Sequence, residues 1–233
     1  MDEKIKTLNK KGFIAALDQS GGSAEKALQK YVIEENRYQT EEEKFNLMHE
    51  MRERGITNDY FTNGKIVGVI LFEEEMIKKT KGEYTPDYLW NQKKIPSFVK
   101  IDDGLMEKEN GVSLMKKIKH LDIKIENVEK HGIIGTNMRS VIYENDKKGI
   151  EKLVDQQFKL ASIIYSKGLI PIVEPEVNIN AIDKEECEKS LVKELDKHLN
   201  NSNIQIILKL TLPEIPNTYE KYTKHKNVLK VRS

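Results

Sequence analysis

Two lysines stand where a lysine is costly. Lys100, in FVKID, and Lys209, in ILKLT, each fall within an otherwise apolar run. A buried ammonium must be paired or neutral. Desolvated beside another cation it loses its proton more readily and can attack a carbonyl carbon. The competing reading is an edge strand from which the side chain snorkels to water. Other polar groups fall at comparable places. Asp18 closes FIAALD, Asp102 closes FVKID, Asn137 and Arg139 stand in GTNMRS, and Glu174 and Glu176 stand in VEPE. Side chains two apart share a strand face. Lys100 therefore shares one with Phe98 and Asp102, Glu174 with Glu176, Asn137 with Arg139, and Lys209 with Thr211. A single charge at a strand end is more often solvated than functional. Five strands ending this way together point instead to one shared rim.

The elements that must carry these residues follow a regular alternation. Apolar runs of strand length occur at Phe13–Asp18, Lys65–Phe72, Pro96–Asp102, Gly132–Arg139, Leu169–Glu176, Ile204–Thr211 and Asn227–Arg232. Helical text lies between them. Ser23–Lys30 is short, and Thr40–Arg54 carries Phe45, Met48 and Met51 on one face. Asp146–Lys167 spaces Ile150, Leu153, Val154, Phe158, Ala161 and Ile164 as a buried stripe, with Gly168 as its stop. Asp183–Leu199 is expected to start on a cap at Asp183. Strand and helix in alternation predict a parallel sheet covered by helices. No GxGxxG follows the first strand, so a dinucleotide fold lacks its fingerprint. Polar groups at nearly every strand end favour an α/β barrel with its site at one mouth.

Composition narrows the classes further. The 233 residues carry 39 Lys+Arg against 38 Asp+Glu, a formal net charge of +1. That balance supplies no field for nucleic acid or an anionic membrane. No apolar run is long enough to span a bilayer, and Met1–Lys10 does not look like a secretory signal, so the cytoplasm is the expected address. A single cysteine, Cys187, excludes an internal disulfide and is expected to be structural. The five histidines are scattered, with no HExxH pairing, so no metal site is expected. No GxSxG elbow is present for a serine nucleophile.

Six segments in order resemble the class I fructose-1,6-bisphosphate aldolases, in particular their bacterial branch. They are GFIAALDQSGGS (Gly12–Ser23), GVILFEEEM (Gly68–Met76), FVKIDDG (Phe98–Gly104), GTNMRS (Gly135–Ser140), GLIPIVEPEVNIN (Gly168–Asn180) and ILKLTLP (Ile207–Pro213). The resemblance implies one TIM (β/α)₈ barrel domain over residues 1–233 that cleaves fructose bisphosphate, in the glycolytic sense, to two triose phosphates. It implies a lysine imine and neither metal nor cofactor. By position, Lys209 is the Schiff-base lysine and Glu174 the carboxylate that exchanges protons during imine formation. Glu176 supports Glu174, and Asp18 takes the proton of the C4 hydroxyl. Lys100 places positive charge beside the nucleophile, and Arg139 faces a phosphate. Ser20 and Ser23 could hydrogen-bond a phosphate or simply stabilise the glycine turn.

Two departures from the family pattern stand out. The family has a lysine where this chain has Asn137, and an asparagine cannot release an ammonium proton. The family also continues beyond Ser233 into a phosphate loop, a helix and an eighth strand. The expectation is therefore a C-terminally incomplete barrel lacking its last βα unit, with the outer strands open to pairing as a homo-oligomer. An impaired homologue serving as a sugar-phosphate binding or protein-interaction module is the alternative, and a different Schiff-base lyase or isomerase a third.

Overall fold

The computed structural model describes residues 2–19, 22–31 and 37–232, with the side chains of Gly22 and Ser23 outside that description. The chain divides into two compact units, Met1–Lys100 with Val128–Ile134, and Ile101–Asn127 with Gly135–Ser233.

The first unit opens with α1 (Asp2–Leu8), β1 (Phe13–Leu17) and α2 (Gly22–Lys30), followed by α3 (Glu41–Thr57) and β2 (Ile66–Leu71). A small hairpin, β3 (Lys79–Thr80) and β4 (Glu83–Tyr84), then leads through α4 (Thr85–Asn91) to β5 (Ser97–Lys100). β2 pairs in parallel with β1 on one side and β5 on the other. Every residue of β2, IVGVIL, is buried, as a central strand covered on both faces requires. α3 starts on a capping box: Thr40 Oγ1 accepts from Glu43 N at 3.2 Å, and Glu43 Oε2 accepts from Thr40 N at 3.2 Å. Its Met48 and Met51 pack with Ala24 and Leu28 of α2, while Phe45 stacks on Phe72 at 5.7 Å. Ile56 joins Ile66, Val69, Leu71, Leu89 and Ile95 in a second cluster. Each such buried aliphatic side chain contributes about 1.5–3 kcal/mol.

In the second unit β6 (Val112–Ser113) and the start of α5 (Leu121–Lys130) precede β7 (Gly135–Ile142). Then come α6 (Lys147–Ser166), β8 (Ile170–Val177), α7 (Lys184–Asn200), β9 (Ile206–Lys209) and β10 (Val228–Arg232). β7, β8, β9 and β10 are parallel in that order, and β6 lies antiparallel on β7. The stripe predicted for α6 is the buried one, from Ile150 to Ile164. Asp146 caps the helix by accepting from Gly149 N at 2.7 Å, and Gly168 follows its end at φ +81°.

Each predicted strand forms, shorter or longer by a few residues. One cap differs from expectation. Asp183 occupies the N-cap position of α7 but makes no side-chain cap bond. Its carboxylate instead accepts from Asn145 N at 3.0 Å and from Cys187 Sγ at 3.4 Å. A carboxylate satisfied by a tertiary donor has no geometric freedom left to fold back on its own helix.

Candidate active site

β7 and β8 are in register from Gly135↔Ile170 to Ile142↔Val177, and β9 joins β8 through Ile172↔Ile207 and Val173↔Leu208. One step further along each strand brings Lys209 level with Glu174. Strand parity turns both side chains to one face, where Lys209 Nζ lies 2.9 Å from Glu174 Oε1. The other carboxylate oxygen, Oε2, accepts from Asn137 Nδ2 at 2.8 Å. Glu174 is 6% exposed and Asn137 fully buried, so the carboxylate sits in a largely dry setting. There its attraction to a cation is stronger than in water. Asn137 Oδ1 is buried and has no hydrogen-bond partner among the described residues.

Two residues on, the same faces carry a second pair. Arg139 Nε donates to Glu176 Oε2 at 2.5 Å and its Nη2 donates to Oε1 at 3.1 Å, a bidentate fork. The hydrogen bond and charge of Glu176 raise the Arg139 pKa further, so the guanidinium stays cationic. The Arg139 backbone N donates to Asp102 Oδ2 at 3.2 Å, which ties the segment after Lys100 to this strand.

The segment after Lys209 is also anchored. Leu210 N donates to Arg232 O at 2.7 Å, and Thr211 Oγ1 donates to Val177 O at 2.8 Å. From α7, Lys184 Nζ donates to Leu212 O at 2.7 Å and pairs with Glu188 at 2.5 Å. Glu188, 1% exposed, accepts from Glu214 N at 2.9 Å and 3.2 Å. Neighbouring Cys187 is a buried free thiol. Burial, with Asp183 beside it, pushes the thiol up to about 12, which agrees with a structural role.

In the first unit Asp18 directly follows β1 and Lys100 closes β5, both half-buried at the C-terminal ends of strands flanking β2. The residue after Asp18 is held firmly. Gln19 Nε2 donates to Ala16 O at 3.0 Å, and Gln19 O accepts from Arg52 Nη2 at 2.7 Å. Arg52 Nη1 in turn reaches Glu75 Oε1 at 2.8 Å, and His49 Nδ1 reaches Glu75 Oε2 at 2.9 Å. Ser20 lies outside the described residues. Ser23 stands in the first turn of α2, its side chain also outside them.

Lys209, Glu174, Asn137, Arg139 and Glu176 are thus brought together within one unit, on the face their spacing predicts. The sequence pattern did not single out Gln157, a fully buried residue of α6 whose side chain reaches the backbone of both β7 and β8. The available signal was a polar residue at a position of the apolar stripe. Among the described residues no group of three or more His, Cys, Asp or Glu is arranged to hold a metal ion. Nor is any helix among them long and apolar enough to cross a membrane.

Parallel strands alternating with helices, with a lysine on a buried carboxylate, define an α/β protein with a candidate lysine–carboxylate site. The fold matches that of the fructose-bisphosphate aldolase of Plasmodium falciparum, solved in complex with TRAP and a small-molecule inhibitor, at a TM-score of 0.69 and 23% identity. That match covers 90% of this chain and 63% of the Plasmodium chain. An archaeal fructose 1,6-bisphosphate aldolase (10% identity) and a Schiff-base-forming fructose-1,6-bisphosphate aldolase (11%) each overlap 98% of this chain and 90% of their own. Their TM-scores of 0.41 and 0.42 are too low to bear on the fold. Residues 3–227 match the family described as fructose-bisphosphate aldolase class-I, and the chain belongs to that family.

Proposed function

We propose that the chain cleaves fructose 1,6-bisphosphate reversibly to dihydroxyacetone phosphate and glyceraldehyde 3-phosphate through an imine on Lys209. The observation that carries this is the 2.9 Å pair between Lys209 Nζ and Glu174 Oε1. Glu174 is placed to accept the ammonium proton, which frees the amine to attack the substrate ketone. The same carboxyl returns a proton to the carbinolamine oxygen, and water leaves. The resulting iminium draws in the electron pair as the C3–C4 bond breaks. Asn137 holds Glu174 Oε2 and so leaves Oε1 turned to the amine. Arg139 keeps the N–H groups that Glu176 does not use, and these suit a phosphate. Asp18 and Lys100 take their proposed roles from the family resemblance alone.

The test is borohydride reduction in the presence of dihydroxyacetone phosphate, followed by peptide mass mapping. Lys209 alone should carry the adduct. Label on Lys100 with Lys209 untouched would reassign the nucleophile. No label at all would favour a second function, a sugar-phosphate binding or protein-interaction module. That alternative has one observation behind it: Asn137 stands beside Glu174 and cannot deliver an ammonium proton.

A further inference from the structure

α6 packs an apolar stripe against the sheet, and Gln157 interrupts it. The residue is fully buried, and its Oε1 has no hydrogen-bond partner among the described residues. A buried polar atom left unpaired is costly, so a leucine or methionine would serve the core better. What Gln157 gains is confined to its amide nitrogen. Nε2 lies 2.8 Å from Ser140 Oγ, 3.1 Å from Met138 O and 3.2 Å from Glu174 O.

These three acceptors bracket the site. Met138 lies between Asn137 and Arg139, Ser140 follows Arg139, and the third acceptor is the carbonyl of Glu174 itself. Parity turns Met138 and Ser140 to the helix side, opposite the face that carries Asn137 and Arg139. Gln157 donates to both strands at once and couples β7 to β8 where their site-facing side chains meet.

We infer that Gln157 is a positioning residue for the lysine–carboxylate site. Its amide fixes the backbone of β7 and β8 so that Glu174 and Asn137 keep their geometry toward Lys209. This rests on the imine chemistry proposed above. Small displacements of a reacting group are expensive, a misplacement of about 1 Å costing up to about 10²-fold in rate.

The experiment compares the wild-type chain with Gln157→Met and Gln157→Leu, which keep the volume and remove the donor. Three quantities are read: the rate of borohydride-trapped imine at Lys209, the split between kcat and KM for cleavage, and the thermal midpoint. Positioning predicts that trapping and kcat fall by about 10- to 100-fold. KM should stay within about threefold, and the midpoint should stay level or rise as the unpaired Oε1 disappears. Wild-type rates in both variants would overturn the inference, as would loss of cooperative unfolding in both, which would make Gln157 structural. Absence of a trapped imine in the wild-type chain would sink the proposed reaction first and this inference with it. That outcome is separate from equal rates in chains that all form the imine.

Discussion

At the scale of single residues, Asn137 has the clearest consequence. Its amide can orient Glu174 but cannot act as a general acid, and a positioned acid contributes typically about 10²–10⁴-fold. Asn137→Lys should therefore raise the cleavage rate by about 10²-fold, read as kcat in a coupled triose-phosphate assay. An unchanged rate would show that Glu174 already supplies the protons the reaction needs. Arg139 illustrates a different economy of donors. Glu176 occupies its Nε and one Nη, which fixes the plane of the guanidinium.

At the scale of elements, two buried charge clusters hold the ends of strands. Lys184 and Glu188 of α7 grip the backbone at Leu212 and Glu214, three and five residues beyond Lys209. Breaking a buried pair by removing one partner costs about 3–5 kcal/mol. Glu188→Ala should lower the unfolding free energy by about that much in a urea titration, and a loss below about 1 kcal/mol would place the pair with weak surface bridges. The second cluster is His49, Arg52 and Glu75. The hydrogen bond that His49 donates to Glu75 raises the His49 pKa above 6.5, against burial, while Glu53 and the Lys79 carbonyl add to the rise. Burial opposes ionisation of Glu75, but His49 and Arg52 outweigh it and hold its carboxyl below 4.5. The His49 contribution is therefore complete below pH 6.5 and is lost as pH climbs through the raised value. The Glu75 contribution is complete above pH 4.5 and is lost as pH falls through the lowered one. Urea midpoints should be highest between these values and decline upward from pH 6.5 in the wild type. His49→Gln should flatten that decline, and equal slopes in the two chains would assign it to another group.

At the scale of the whole molecule, charge and donor distribution set the expected behaviour. Positive and negative residues balance to +1, so long-range steering would contribute little to capture of the bisphosphate proposed as substrate, and Arg139 is the local group proposed to meet it. The histidines are spread over the chain, and the electron sink proposed for cleavage is the imine on Lys209. Chelation by EDTA should leave cleavage unchanged, measured before and after dialysis. Loss of activity that zinc restores would move the chain to metal-dependent chemistry.

The sequence alone determined the strands and long helices, because the signals for them are local. Apolar runs, the α6 stripe and the Gly168 stop each act within a few residues of chain. Parity also put Asn137 with Arg139, and Glu174 with Glu176, on shared faces before any neighbour was known. Only the tertiary structure decided the partners. Lys209 pairs with Glu174, and Arg139 with Glu176, because of the relative register of β7, β8 and β9, which inter-strand hydrogen bonds set between residues far apart in sequence. The same non-local geometry took Asp183 away from its helix cap and aimed Gln157 at two strand backbones. In each case the folded chain satisfied a polar side chain with a partner distant in sequence.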